Sequence, residues 1–311
     1  MLLRTKFHRP SIPHDLLVRP RLIDKLSQAL RRPLTLVSAP AGYGKSVLAS
    51  SYLQTCSLPS AWVSLDEQDD DLRVFLDYVL TALDGLFVGS LRQTQALLAG
   101  ASLPPVAVIA HSLVNELAEL EREFILVLDD IHVLRTADIY DLLAALLRRP
   151  LPGFHLLLLT RQDPPLALGV LRAYDQLSEI RGRDLRFTAD ETAAFMDQAV
   201  ALPLHDETLA VLAERTEGWA VGLRLAALIL SNGGDADRQV AQLHAENRHV
   251  MDYLMNQVLA RIPPDLEDFL LKTSILDMLS GPLCDAVMGA EGVAPRGQAN
   301  LRWLEDANFF T

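Results

Sequence analysis

The chain has 311 residues, which is long for one average domain and fits two or three. Apolar residues make up 50% of it, and its two cysteines form neither a disulfide framework nor a metal-binding spacing. The net charge of -12 repels phosphate backbones, so this segment is a poor DNA binder by itself. No signal peptide or membrane-spanning run is recognisable, and we expect a soluble, cytoplasmic protein.

The first half of the chain alternates short apolar strands with helices. Residues 4–20 precede this pattern and are expected to form an extended arm, because three prolines interrupt them. The strands are predicted at 34–38, 61–65, 124–128 and 154–160, and the helices at 21–31, 47–54, 72–86, 105–120 and 137–147.

The predicted strands are apolar throughout, without the polar alternation of a strand that has one face in water. Such strands are typical of a parallel sheet covered by helices on both faces, and the pattern predicts an α/β fold. Ligands of this architecture bind beyond the carboxyl ends of the strands. Residues that directly follow a strand are therefore the first candidates for function.

After about Arg183 the strand signal fades and helices are expected. A capping box at Thr188–Glu191 opens a helix to Val200, and Asp206 is expected to cap the next one. The nearest approach to a basic cluster is formed by Arg181, Arg183 and Arg186, for which a solvated surface is the favoured interpretation. The remaining helices are predicted at 207–215, 219–231, 241–259, 266–272 and 283–288.

The turn after the first strand has the P-loop pattern, with Ala39 in place of the usual first glycine. Its glycines let successive amides face a polyphosphate, Lys45 brings a positive charge to the β- and γ-phosphates, and the Ser46 hydroxyl is a ligand for Mg²⁺. We expect ATP or ADP with Mg²⁺ as the ligand. The predicted nucleotide-binding residues here are Pro40, Ala41, Gly42, Tyr43, Gly44, Lys45, Ser46 and Val47.

Polar residues also follow two later strands. Asp129 is placed to orient the water shell of Mg²⁺, and Asp130 is the candidate that polarises an attacking water. Arg161 follows the strand at 154–160, where it is placed to reach a γ-phosphate. His132 is a weaker candidate, because a lone histidine is more often packed or solvated than catalytic.

A set of motifs in this order resembles a known family. The chain is similar to the N-terminal part of the MalT-like, LuxR-family ATP-dependent transcriptional regulators, which belong to the STAND class of signal-transduction ATPases. The resemblance covers essentially the whole chain. The segments that carry it are residues 18–22, 39–46, 62–66, 128–132, 216–223 and 269–276.

The resemblance implies an arm at 1–20, a P-loop NTPase domain at 21–183, a helical lid at 184–234 and a winged-helix domain at 235–311. It further implies an ADP-held resting monomer that self-associates in the ATP state, with slow hydrolysis. An inducer would be read by a sensor domain downstream of Thr311, and DNA would be bound only by a C-terminal helix-turn-helix. In this interpretation the winged helix is a packing and regulatory module, which agrees with the acidic charge.

The family's nucleotide contacts carry over to few residues. Val18 and Arg19 match the position that borders the adenine. Trp219 falls where related proteins have a Gly-x-Pro lid on the nucleotide, but this chain lacks the proline, and Trp219 could equally be a helix-packing residue. His244 and His249 are weak candidates for a phosphate contact.

Two other functional classes remain open. A fast ATP-consuming enzyme, such as an AAA-type motor or an NTP-dependent kinase, would use the same P-loop. A protein-interaction module with a degenerate nucleotide site would not need it, and the intact Lys45, Ser46 and Asp129 disfavour that interpretation.

Overall fold

The computed structural model describes residues 2–12, 16–149, 151–200, 204–231, 263–276, 278–289 and 296–306. The helix predicted at 241–259, His244 and His249 lie outside these residues, as does the proposed boundary between the lid and the winged helix. The chain divides into two compact units, Met1–Ala39 with Gly44–Leu185, and Pro40–Tyr43 with Arg186–Thr311.

The first unit is built on one parallel sheet of five strands in the order β2-β3-β4-β1-β5. Strand β1 is therefore an inner strand, with β4 and β5 as its neighbours. The four predicted strands are confirmed to within a residue at each end. The strands are β1 (Leu34–Ser38), β2 (Ser60–Ser64), β3 (Phe124–Asp129), β4 (Phe154–Thr160) and β5 (Leu177–Arg181).

Burial explains why the inner strands lack polar alternation. Every residue of β1 and β3 is buried, because both faces of the sheet are covered. At the amino-terminal end, Phe124 packs against Phe87 and Phe154 with ring centroids 5.0 and 5.4 Å apart. The predicted α/β fold with a parallel sheet is confirmed.

Helices connect the strands of this unit. Helix α3 begins at a side-chain cap, where the Asp71 carboxylate accepts from the amides of Arg73 and Val74. Asp70 holds the segment before α6 by accepting from the amides of Arg135 and Thr136. The helices are α1 (Pro20–Ala29), α2 (Lys45–Thr55), α3 (Leu72–Asp84), α4 (Arg92–Leu98), α5 (Val106–Ala118), α6 (Ala137–Arg148), α7 (Leu168–Ala173) and α8 (Gly182–Leu185).

Strand β5, which follows β4 in the chain, was not among the predicted strands. β5 is an edge strand that carries Glu179 and Arg181, so it lacks the continuous apolar run of its neighbours. Arg181 is also not part of a solvated surface: its side chain is 25% exposed and forms ion pairs with Asp163 and Glu179. The charged residues Glu179 and Arg181 thus make the strand hard to recognise in the sequence and also form the ion pairs at its carboxyl end.

The arm also differs from the prediction at its start, where Arg4–Phe7 forms a 3₁₀ turn. Lys6 is buried there, and its Nζ lies 2.6 Å from Asp69 Oδ2 and 2.7 Å from Asp66 Oδ2. The same nitrogen lies 4.9 Å from the centre of the Tyr78 ring. The ion pairs attach the arm to the segment that follows β2.

The second unit is helical in the residues described. Thr188 and Glu191 form the predicted capping box, but the next helix begins at Asp206 itself, with His205 at the capping position. None of the helices in the described ranges is long and apolar enough to cross a membrane. The helices are α9 (Ala189–Ala199), α10 (Asp206–Thr216), α11 (Ala220–Ser231), α12 (Pro264–Thr273), α13 (Gly281–Met288) and α14 (Gly297–Asp306).

Candidate functional site

A sharp glycine turn joins β1 to α2. Gly42 and Gly44 have φ angles of 80° and 79°, the left-handed region that glycine adopts without a steric penalty. Gly44 caps α2, whose first turn contains Lys45, Ser46 and Val47. The two glycines therefore fold the backbone tightly in front of a helix amino terminus, where an anion is favoured.

The backbone amides of this turn are candidate hydrogen-bond donors to a ligand. Among the hydrogen bonds made by the described residues, none uses the amide of Ala41, Gly42, Tyr43 or Gly44 as donor. An amide left without an acceptor is costly unless water or a ligand pairs with it. The turn thus suits a ligand with several acceptor oxygens, such as a polyphosphate.

Lys45 lies at the base of the turn. Its side chain is buried, and Nζ donates to the carbonyl oxygen of Ala39 at 2.7 Å. The pKa of Lys45 is lowered to about 8, chiefly by burial; the nearby charge of Arg161 also lowers it, whereas the carboxylates of Asp130 and Asp129 raise it. A polyphosphate would favour the charged form of this amine.

Ser46 and Asp129 form the second part of the site. The serine Oγ donates to Oδ1 of Asp129 at 2.9 Å, which connects the start of α2 to the last residue of β3. Burial, together with the charge of Asp130, raises the pKa of Asp129 to about 6, and the bond from Ser46 and the charge of Lys45 oppose this shift. A hydroxyl paired with a carboxylate in this way is a donor set that suits Mg²⁺.

Asp130 has the left-handed backbone conformation, with φ 59° and ψ 36°, and opens the 3₁₀ turn Ile131–Val133. Its Oδ1 lies 3.7 Å from Nδ1 of His132, and the two side chains are 44% and 10% exposed. Aspartate tolerates this conformation better than most residues. The backbone therefore leaves the strand conformation at Asp130, directly after Asp129.

Arg161 directly follows β4 and is partly buried. Its neighbour Thr160 accepts from the amide of Ala39 at 3.2 Å, so the end of β4 is bonded to the start of the glycine turn. The effect of Arg161 on the pKa of Lys45 places the two cations within electrostatic reach. Lys45, Ser46, Asp129, Asp130 and Arg161 are thus brought together at the carboxyl edge of the sheet.

The two residues expected near an adenine differ in exposure. Val18 is 58% exposed, whereas Arg19 is buried. Arg19 Nη1 donates to the carbonyl oxygen of Leu185 at 2.6 Å, and a Cβ placed on Gly44 would lie 4.0 Å from Arg19 Nη2. Arg19 therefore lies beside the glycine turn.

Trp219 is found in the second unit, which includes residues 40–43 of the turn. Its indole Nε1 donates to the carbonyl oxygen of Ala41 at 3.2 Å, and the amide of Val221 donates to that of Gly42, also at 3.2 Å. Trp219 thus contacts the turn through backbone oxygens. Neither bond could be predicted from the sequence, because both join residues far apart in the chain.

The fold and the turn define a class of protein. Among solved structures, the chain is similar to the Walker-type ATPase PABY2304 of Pyrococcus abyssi, with a TM-score of 0.62 and 18% sequence identity. The match covers 97% of this chain and 92% of that one. This likeness concerns the fold, and together with the glycine turn before α2 it shows a P-loop NTPase fold.

Sequence relatives narrow the class. Residues 255–311 match the family described as the MalT winged helix domain. The chain is 31% identical to the HTH-type transcriptional regulator MalT of Serratia proteamaculans and 32% identical to that of Klebsiella pneumoniae. Each match covers 100% of this chain and 34% of the relative, so the chain spans about a third of the length of these curated relatives. The chain is thus similar to MalT over its whole length, which confirms the resemblance noted in the sequence.

Proposed function

We propose that the chain binds ATP or ADP with Mg²⁺ and acts as the nucleotide-controlled switch module of a transcriptional regulator. The observation that carries this proposal is the hydrogen bond between Ser46 and Asp129 beside the glycine turn, because it gathers a Mg²⁺ donor set next to Lys45. Bound Mg²⁺ would neutralise phosphate charge.

Each site residue has a role in this proposal. Lys45 and the amides of residues 41–47 hold the phosphates beside Pro40, and Ser46 and Asp129 hold the metal and its water shell. Asp130 polarises a water for slow hydrolysis, and Arg161 contacts the γ-phosphate. Val18, Arg19 and Trp219 border the nucleotide.

The output of such a module is a shift between conformations rather than turnover. ADP favours the resting monomer, and ATP favours self-association. Moving a two-state equilibrium from 1:99 to 99:1 requires about 5.5 kcal/mol of differential affinity. Arg161 and the metal-binding pair supply a part of this difference, because only ATP carries a γ-phosphate.

The proposal assigns the other activities of the regulator to different parts of it. The relatives are named transcriptional regulators, and this chain corresponds to about a third of their length, 34%. An inducer would act through a sensor domain, and DNA would be bound by a helix-turn-helix, both outside residues 1–311. A cytoplasmic location follows from this role.

The first experiment identifies the nucleotide released when the purified chain is denatured. Retained ADP together with slow ATP hydrolysis is the expected result. An empty site with fast turnover would favour the motor or another NTP-dependent enzyme. A protein that binds no nucleotide at any concentration would be the degenerate interaction module.

The second experiment compares Lys45→Ala with Lys25→Ala. Lys45 is buried in the turn, whereas Lys25 is partly exposed and pairs with Asp184 at 2.8 Å. We expect the affinity for ADP to fall about 100-fold in Lys45→Ala, since a desolvated charge contact is lost, and to stay unchanged in Lys25→Ala. Unchanged ADP affinity in Lys45→Ala would remove the central assignment.

A further inference from the structure

An ion pair connects the two strands that flank β1. Arg181 is the last residue of β5, and its Nη2 lies 3.0 Å from Oδ2 of Asp163, three residues beyond β4; Nη1 pairs with Oδ1. Ser38 at the end of β1 is in register with Thr160 on one side and Arg181 on the other. The pair therefore bridges the sheet at the level where the glycine turn leaves β1.

Arg181 is also bonded to Glu179, two residues earlier in the same strand. Its Nε donates to Oε1 of Glu179 at 3.1 Å, and Glu179 accepts two further bonds from Arg172, at 2.7 and 2.9 Å. The bonds from Arg172 lower the pKa of Glu179 to about 2, so this carboxylate stays charged. Asp163, Glu179, Arg172 and Arg181 form a network without net charge. Asp163 therefore pairs with an Arg181 guanidinium whose position is restricted by Glu179.

Asp163 belongs to the same turn as Arg161. We call residues 160–163 the β4 turn. Thr160 donates its hydroxyl to the carbonyl oxygen of Gln162, which closes the turn, and the Arg181 pair fixes its far end. At the near end, Thr160 accepts from the amide of Ala39, whose carbonyl oxygen accepts from Lys45. Arg161 is thus fixed between two anchored neighbours.

We infer that Arg181, acting through Asp163, is a positioning residue that holds Arg161 where a γ-phosphate would bind beside Lys45, and so sets the preference for ATP over ADP. The inference rests on the proposed nucleotide-binding function. ADP lacks the group that Arg161 would contact, so loosening the β4 turn weakens ATP binding and leaves ADP binding unchanged. A long cationic side chain on a loose turn would lose more conformational freedom on binding.

The test measures Mg²⁺-dependent affinities for ADP and for a non-hydrolysable ATP analogue. Asp163→Asn keeps the size of the side chain and removes the ion pair with Arg181. We expect its affinity for the ATP analogue to fall about tenfold, the range of a typical coupling between sites, with ADP affinity unchanged. Arg181→Lys keeps the charge but not the forked geometry of the guanidinium. Its affinity for the ATP analogue should lie between that of Asp163→Asn and that of the unmodified chain.

Arg172→Gln is the matched control. It removes a charge from the same network but leaves the bonds of Arg181 to Asp163 and to Glu179 in place, so both affinities should stay unchanged. Arg161→Met should remove the preference for the ATP analogue altogether. Melting temperatures of all variants show whether each has folded, and the conservative Arg181→Lys gives the answer if Asp163→Asn does not fold.

Three results would overturn the inference: an equal loss of both affinities in Asp163→Asn, no loss in either Asp163→Asn or Arg181→Lys, or a full preference for ATP in Arg161→Met. These results differ from a failure of the proposed function. In that case the unmodified chain would bind neither nucleotide, or Lys45→Ala would bind ADP as well as the unmodified chain does.

Discussion

Ser46 and Asp129 are 83 positions apart in sequence and are joined by a hydrogen bond of 2.9 Å. The bond holds a buried carboxylate at the end of β3 against the first turn of α2. Burial disfavours the charged form of Asp129, whereas Mg²⁺ would require it. The pair is therefore unfavourable for the nucleotide-free fold and suited to the proposed ligand, and the two effects can be measured separately.

Asp129→Asn should stabilise the chain when neither Mg²⁺ nor nucleotide is present. The amide can still accept from Ser46, and the buried charge is gone. A pKa raised from 3.8 to about 6 corresponds to about 3 kcal/mol at neutral pH, and we expect roughly half of this after relaxation. Chemical denaturation measures the gain. The same variant should lose any stabilisation by Mg²⁺ with ADP, and a variant that is less stable without ligand would contradict the argument.

The stabilisation in Asp129→Asn should depend on pH. The folded pKa of Asp129 lies above its ordinary value of 3.8, so the folded state binds a proton more tightly than the unfolded state. The free-energy penalty of the buried charge is absent below pH 3.8, grows as the pH rises through the folded pKa of about 6, and is complete above it. The difference in unfolding free energy between Asp129→Asn and the unmodified chain should therefore be larger at pH 7.5 than at pH 5. A difference that does not change with pH would show that the gain has another origin.

Lys6→Met should destabilise the first unit. Lys6 and Asp69 are both buried, so removal of the ammonium leaves the Asp69 carboxylate without its cation at a cost of about 3 kcal/mol. Lys25→Met is the control, because Lys25 pairs with Asp184 at a more exposed position and should cost less than about 1 kcal/mol. Urea denaturation compares the two variants. Equal losses would mean that the buried pair contributes no more than the partly exposed one.

Gly153→Ala should destabilise the entry into β4. Gly153 has φ 77°, and a Cβ there would lie 2.7 Å from the carbonyl oxygen of Arg122. The left-handed conformation alone costs an alanine about 1–2 kcal/mol, and the contact adds to this. Gly169→Ala, where no atom lies within 4 Å of the new Cβ, should be neutral or stabilising because Gly169 is in α7. A neutral Gly153→Ala in thermal melts would contradict the geometry.

The parts of the fold that depend on residues close together in the sequence could be predicted. The inner strands are continuous apolar runs, and the glycine turn with Lys45 and Ser46 is a local pattern. β5 could not be predicted in this way, because an edge strand with Glu179 and Arg181 resembles a surface loop in composition. Its identity depends on pairing with β1, more than a hundred residues earlier in the chain.

The same limit applies to the candidate site. The positions of Asp129 and Arg161 followed from strand ends, which the sequence shows. The partner of Lys6 and the partner of Trp219 did not, because these contacts join residues 63 and 178 positions apart. Asp163 could have been noticed only once β5 was known to lie across β1 from β4.

The strand order has a consequence for how the chain is made. β1 is synthesised before the other strands, but its two neighbours in the sheet are β4 (Phe154–Thr160) and β5 (Leu177–Arg181). On the ribosome, the phosphate-binding turn therefore emerges long before the strands that support it, and the bond from Ala39 to Thr160 forms only after Thr160 has left the exit tunnel. A nascent chain halted before β5 would expose one edge of β1, and nucleotide capture during translation should begin only after Arg181 has emerged.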